Sequence, residues 1–214
     1  MGPYDERPLD AASWRDAILK RPAMVLGNME NGDAFAWIVR ELVQATLSWQ
    51  IGANLGLRLT PGNGVELDCY SSLPQGEKAH EHHWSRPIHV ITDQLAILGW
   101  GSCASQTLAL ACSRMKWEIR DRFGAGSAAF DQGLCRYAAH SAPELPAHLC
   151  LRVSLAIGTP RLVIAPATID RVAMAIRYLS GPAEAGYWGC VNISDARTEE
   201  SRAVVVTNPP PTPA

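Results

Sequence analysis

The regular spacing of apolar residues between positions 33 and 50 constrains the fold more than any other feature of this sequence. Apolar or weakly polar side chains recur three and four positions apart, at Phe35, Ile38, Val39, Leu42, Val43, Thr46 and Leu47. This period places them on one face of an α-helix, so the segment predicts an amphipathic helix that packs this face against a core. Asp33 is expected to cap the N-terminus of the helix.

A shorter helix and a proline precede this segment. The stretch "WRDAILK" predicts a helix over residues 11–20, with Ser13 as its N-cap. Arg21-Pro22 is expected to end this helix, because the residue before a proline disfavours the helical backbone conformation. The stretch "MENGD" then predicts a turn that leads into the amphipathic helix.

The remainder of the chain mixes strand and helix patterns. Two alternating segments flank the stretch Pro-Gly-Asn-Gly at 61–64, which predicts a β-hairpin. Helices are predicted at 105–115 and at 168–180, the second capped by Thr168. Further strands are predicted at 116–124, 127–139, 149–156, 161–165, 187–196 and 201–208.

This order of elements predicts an α+β two-layer sandwich with helices on one face of a mixed, mostly antiparallel sheet. The 214 residues suffice for one large core. A single domain is expected over residues 14–207. It is preceded by an N-terminal arm at 1–13 and followed by a disordered, proline-rich tail at 208–214.

Composition excludes several classes of protein. Hydrophobic residues make up 47% of the chain, charged residues 19%, and the formal net charge is −2. Such a chain has no overall attraction to nucleic acid or to anionic membranes, so neither is expected as a partner. No apolar run approaches the roughly 20 residues of a membrane span, and no secretory signal begins the chain. A cytoplasmic location is therefore expected, with the six cysteines as free thiols.

Two short segments carry a resemblance to a known family. "KRPAMVLG" at 20–27 and "ELVQA" at 41–45 are similar to K-R-P-G-M-Y-I-G and E-V-V-D-N in the ATPase domain of the gyrase B and topoisomerase IV B subunits. The resemblance continues to about residue 207, through "VELDCYSSLP", "GWGSCASQTLALACSRMKWEI" and "IDRVAMAIRYLS". It implies the Bergerat ATP-binding fold of the GHKL superfamily. The chain stops before the family's transducer and DNA-gate regions, so a complete topoisomerase is not expected.

The resemblance implies a nucleotide site with altered chemistry. Glu41 stands where the family has the general base that activates the attacking water. Gln44 and Ala45 stand where the family has Asp-Asn, whose asparagine oxygen binds Mg²⁺. Because alanine offers no oxygen ligand, no metal site is expected, and hydrolysis of Mg-ATP is expected to be weak or lost.

The resemblance also implies contacts to the base and the phosphates. Asp68 matches the aspartate that accepts a hydrogen bond from the adenine amino group. Tyr70 replaces a family glycine and is expected to place its ring at the mouth of the adenine pocket. The loop that holds phosphates on backbone N–H groups is matched by Gly99, Gly101, Ser102 and Ser105.

These residues predict a stand-alone, degenerate gyrase-B-like domain that binds ATP, another adenine nucleotide or another small ligand. One alternative is an enzyme that acts on a non-nucleotide small molecule in the same pocket, with Glu41 or Asp68 as acid–base groups. Another is a self-protection protein that interacts with gyrase or sequesters its inhibitors. Besides a small ligand, the expected partners are a second copy, reached through Tyr4 of the N-terminal arm, or a gyrase-related protein.

Overall fold

A computed structural model describes residues 19–49, 54–70, 110–121, 124–131, 134–139, 145–146, 148–179, 190–198 and 202–207. Within these ranges, residues 19 and 20 are helical and three named helices follow. They are α1 (Pro22–Leu26), α2 (Asp33–Trp49) and α3 (Ile169–Arg177). None of the helices in this part of the chain is long and apolar enough to cross a membrane.

Eight strands in the same ranges form one sheet. They are β1 (Asn54–Thr60), β2 (Gly64–Tyr70), β3 (Cys112–Asp121), β4 (Gly124–Asp131), β5 (Leu134–Ala139), β6 (Leu151–Ile157), β7 (Cys190–Asp195) and β8 (Arg202–Thr207). Their order across the sheet is β5-β4-β3-β6-β2-β1-β7-β8. β1 and β7 run parallel and every other neighbouring pair is antiparallel. This confirms the predicted α+β class and the mixed, mostly antiparallel sheet.

The sheet buries one of its faces against helices. Buried and accessible positions alternate along β1, β2 and β6, as they do in strands with one face in a core. The buried side chains of these strands form one apolar cluster with the buried side chains of α2 and α3. The opposite face, here called the polar face, carries Arg58, Glu66, Asp68, Tyr70, Glu118 and Arg152.

Several predicted boundaries are wrong. The helix predicted at 105–115 does not reach its expected end, because β3 begins at Cys112. The strand predicted at 127–139 is divided between β4 and β5, which pair as a hairpin. The strand predicted at 161–165 does not form, and its only β-type pairing is the isolated bridge from Leu162 to Thr159.

The first residues of α1 and α3 agree with local sequence signals, whereas Asp33 lies inside α2 and is not its N-cap. Thr168 caps α3 as predicted, since its Oγ1 accepts a hydrogen bond from the Arg171 N–H at 3.3 Å. Pro22 begins the short helix α1, where a missing N–H has no cost. Asp33 is itself the first residue of α2, and its carboxylate accepts from the Asn31 side chain at 2.8 Å.

Candidate functional site

Glu41 lies on α2 at the border of the buried face. It follows Trp37 by one helical turn and precedes the fully buried Leu42 and Val43. Its side chain is 13% exposed, and the Arg40 guanidinium lies 3.8 Å from its carboxylate. Burial raises the pKa of Glu41, and the positive charge of Arg40 opposes that rise. A carboxylate held in this way can accept or release a proton closer to neutral pH than a solvated one.

Arg40 adds an unsatisfied donor beside this carboxylate. Its Nε atom is buried and has no hydrogen-bond partner, although 33% of the Arg40 side chain as a whole is exposed. A buried donor without a partner is rare, because losing hydrogen bonds to water costs free energy. The two neighbours on α2 therefore present an unsatisfied N–H and a desolvated carboxylate side by side.

Gln44 and Ala45 lie on the same helix after Glu41. Gln44 is exposed, and position 45 belongs to the helical backbone of α2. In the part of the chain that the structure describes, no three histidine, cysteine, aspartate or glutamate side chains group as metal ligands.

Asp68 lies on β2 and is engaged by an arginine. Arg152 on β6 donates from Nε at 2.7 Å and from a terminal nitrogen at 2.9 Å, so that the pair is bidentate. The two residues are direct partners in the β2–β6 register. The hydrogen bond that Arg152 donates to Asp68 raises the pKa of Arg152, against the smaller effect of burial.

Asp68 and Glu41 face opposite sides of the sheet. Asp68 sits between Leu67 and Cys69, which are fully buried in the cluster shared with α2. Because successive side chains of a strand point to opposite faces, the Asp68 carboxylate lies on the polar face. Glu41 lies on a helix that packs against the other face. The structure therefore does not bring these two predicted site residues together.

Tyr70 lies on the polar face with Asp68. Its ring covers Gly56, where an added Cβ would stand 2.9 Å from the Tyr70 ring carbon Cε2. The ring also stacks on His148, with centroids 5.9 Å apart and planes inclined by 5°. A tyrosine that shields a strand glycine stabilises the sheet. Its ring position is thus explained by packing on β1.

Two further ion pairs lie on the polar face. Arg58 lies 3.7 Å from Glu66 across β1 and β2, and the Lys116 ammonium lies 2.6 Å from Glu118 along β3. With the Arg152–Asp68 pair, positive and negative groups alternate over four adjacent strands. Exposed pairs of this kind contribute little to stability, and each partly neutralises the charge of its partner.

The other predicted site residues cannot be placed. Gly99, Gly101, Ser102 and Ser105 all lie outside the described residues. The same is true of Tyr4 in the predicted arm and of the predicted tail at 208–214. The placed members of the candidate site are therefore Glu41, Gln44, Asp68 and Tyr70.

Two functional neighbours were not predicted from the sequence. Arg152 is the one charged residue in "LCLRVSLA", and a lone arginine in an otherwise apolar strand indicates a nearby acidic partner. Arg40 precedes Glu41 directly, and adjacent helix positions do not normally face each other. No sequence signal identifies Arg40 as a partly buried donor.

Neutralising Glu41 should stabilise the protein at neutral pH. Because the folded-state pKa of Glu41 is raised, its ionised form costs stability above that pKa, and the cost disappears below the unfolded pKa. We expect Glu41→Gln to have a higher urea midpoint than the parent at pH 7 and an equal one at pH 4. Glu30→Gln, at an exposed loop position, is the control. An equal gain in both variants would contradict this account of Glu41.

Comparison with known proteins leaves the candidate site to be judged on geometry. A scan against protein-family models finds no match, and a search of curated proteins finds no relative.

Proposed function

We propose that this chain is a degenerate GHKL-like domain that binds a small ligand, such as an adenine nucleotide, beside Arg40 and Glu41. Hydrolysis of Mg-ATP is weak or lost. The observation that carries the proposal is the pairing on α2 of an unsatisfied Arg40 donor with a desolvated Glu41 carboxylate. A polar ligand that accepts from the one group and donates to the other would satisfy both.

Loss of efficient hydrolysis is supported by the positions of three residues. A water-activating base and an adenine acceptor must act on one bound molecule, yet Glu41 and Asp68 point to opposite faces of the sheet. The Asp68 carboxylate is also occupied by two hydrogen bonds from Arg152. Ala45 supplies no oxygen for Mg²⁺, the ion that neutralises charge during phosphoryl transfer.

The binding role is supported by the energetics of α2. A desolvated carboxylate and an unpartnered buried N–H each disfavour the folded state. Groups of this kind are typical of binding and catalytic sites, where the ligand supplies the missing partner. On the polar face, by contrast, Arg58, Lys116 and Arg152 each have a carboxylate partner.

A second candidate is an enzyme that acts on a non-nucleotide small molecule at the same place. The raised pKa of Glu41 favours it, because a general acid or base works best when its pKa approaches the working pH. In this reading Glu41 transfers the proton and Arg40 orients a carbonyl or carboxylate of the substrate. Both candidates use the same two side chains.

Isothermal titration with ATP, ADP and a non-hydrolysable ATP analogue tests the first candidate. We expect the affinity to be the same with Mg²⁺ and with a chelator. Glu41→Gln should weaken nucleotide binding by at least about threefold, because it removes the charge of the group that accepts a hydrogen bond from the ligand. Arg40→Lys keeps the charge but removes Nε, and it should weaken binding by a similar factor.

Matched variants on the polar face make the test specific. Arg58→Lys and Asp68→Asn should leave nucleotide affinity unchanged. A loss of nucleotide affinity in Asp68→Asn would show that Asp68 belongs to the binding site. The proposal would be overturned by Mg²⁺-dependent ATP hydrolysis that is lost in Glu41→Ala. If none of the three nucleotides binds at millimolar concentration, the result favours the non-nucleotide candidate.

A further inference from the structure

Cys69 and Cys150 meet where β6 begins beside β2. The N–H of Cys150 donates to the Cys69 carbonyl at 3.1 Å, while Leu151 is the register partner of Cys69. Two consecutive residues thus oppose one, as in a β-bulge. The irregularity explains why Cys150 and Leu151 are both buried, although they are neighbours at the start of a strand.

This arrangement brings the Cys150 thiol against Cys69. The Cys150 Sγ lies 3.5 Å from the Cys69 carbonyl oxygen. Hydrogen bonding with the Cys150 side chain, followed by burial, raises the pKa of Cys69. Directly opposed residues of an antiparallel strand pair have Cα atoms about 5.5 Å apart, and disulfides span Cα separations of roughly 4.4–6.8 Å. Cys150 is the neighbour of Leu151, the residue directly opposed to Cys69.

We propose that Cys69 and Cys150 form a reversible disulfide when the protein meets an oxidised low-molecular-weight thiol such as glutathione disulfide. Neither cysteine is in a disulfide in the structure. The Cys150 thiolate attacks glutathione disulfide, which releases one glutathione and leaves a mixed disulfide. The Cys69 thiolate then attacks the Cys150 sulfur and releases the second glutathione. Two electrons pass from the protein dithiol to glutathione disulfide, and the two protons appear on the glutathione thiols.

Burial sets the rate of this exchange. Both cysteines are buried, and the raised pKa of Cys69 keeps its thiol protonated, so the pair does not react while the strands are closed. Cys150 precedes β6 rather than lying within it, so freeing its thiol requires fewer ladder hydrogen bonds to open than freeing Cys69. Oxidation is therefore limited by local opening of this end of β6, and it should accelerate in urea below the unfolding transition.

The bond would tie together two parts of the chain that carry the polar face. Cys69 and Cys150 are 81 positions apart in sequence, and a bond that closes so long a loop restricts the unfolded chain strongly. Cys69 directly follows Asp68, and Cys150 lies two residues after His148, the stacking partner of Tyr70. Oxidation would thus fix the Arg152–Asp68 and Tyr70–His148 contacts against separation.

The test uses the full chain in a glutathione redox buffer. After equilibration, free thiols are alkylated and the protein is digested and mapped by mass spectrometry. We expect a peptide pair joined at Cys69 and Cys150, lighter by two hydrogens than the reduced pair. The oxidised protein should unfold at a higher urea concentration, and dithiothreitol should reverse both changes.

Two cysteine variants and the peptide mapping of the parent protein provide the controls. Cys112→Ala removes another buried thiol and should leave the cross-link intact, whereas Cys150→Ala should abolish both the link and the gain in stability. If Cys150→Ala fails to fold, the mapping of the parent protein decides. Glutathione adducts on either cysteine without a cross-link, or a link that joins Cys69 to Cys103 or Cys135, would overturn the proposal.

Discussion

Replacing Gly32 with alanine is expected to lower the free energy of unfolding by about 3 kcal/mol, part from backbone strain and part from overpacking. Gly32 has φ +87°, a conformation that residues with a Cβ rarely adopt. A Cβ built at this position would stand 2.8 Å from the Ala167 Cα and 2.9 Å from the Pro166 carbonyl oxygen. Both are backbone atoms, so neither can rotate away. Urea denaturation at pH 7 measures the loss.

Gly62 provides the matched control for this prediction. It also has a positive φ, +71°, but no atom lies within 4 Å of an added Cβ. Gly62→Ala therefore carries the backbone cost alone and should lose only about 1 kcal/mol. Equal losses at the two positions would show that the chain between Met29 and Gly32 can move away from Ala167, against this prediction.

The contact at Gly32 matters because it positions the helix that carries the candidate site. The N–H of Ala165 donates to the Met29 carbonyl at 2.8 Å, so the turn before α2 and the segment before α3 are joined along their backbones. α2 begins one residue after Gly32. A displaced turn would shift the start of the helix and with it Arg40 and Glu41.

Elements with a local cause could be predicted from the sequence. The α2 period depends only on spacing along the helix, and the predicted range of 33–50 agrees with Asp33–Trp49 to one residue. The β1–β2 hairpin follows from turn residues, since Gly62 and Asn63 both take positive φ. The Thr168 cap likewise requires no information beyond the first turn of α3.

Elements that depend on distant partners could not be predicted. Residues 161–165 have a strand-like pattern, with Leu162 and Ile164 buried and Val163 82% exposed. Their backbone groups nevertheless bond to turns: the Ile164 carbonyl accepts from the Asn63 side chain at 2.8 Å. Conversely, β3 begins at Cys112, inside a segment with helical periodicity, because β4 and β6 pair with it on both sides.

The candidate site also depends on contacts between residues that are distant in sequence. The alternation of Val65, Leu67 and Cys69 is visible in the sequence and already places Asp68 on the other face of its strand. Its partner Arg152 lies 84 positions away, so only the β2–β6 register brings the two charges together.

A second large effect is expected where Arg197 joins three parts of the core. Its Nε donates to the Asp195 carboxylate at 2.8 Å, and a terminal nitrogen donates to the Ala167 carbonyl at 2.8 Å. The guanidinium also lies over the Phe35 ring, 5.9 Å from its centroid. The Arg197 and Asp195 side chains are only 17% and 12% exposed. One side chain therefore links α2, the end of β7 and the approach to α3.

Arg197→Met should cost about 3 kcal/mol at pH 7, because it leaves a largely buried carboxylate without its partner. Hydrogen bonds from Arg197 lower the pKa of Asp195 below its unfolded value of about 3.9. The contribution of the pair is thus complete above that value and is lost as the pH falls through the lower folded-state pKa. The parent should lose stability over this acidic range, and the difference from Arg197→Met should shrink there.

The Arg202–Asp170 pair separates this explanation from a general effect of lost charges. It is also bidentate, at 2.8 and 2.9 Å, but its side chains are 59% and 60% exposed. Water screens such a pair, so Arg202→Met should cost less than about 1 kcal/mol and change little with pH. If both arginine variants lose the same stability, burial does not decide the strength of the pair. If Arg197→Met keeps its full deficit throughout the acidic range, the loss comes from packing on Phe35 and the contact with Ala167 rather than from the ion pair.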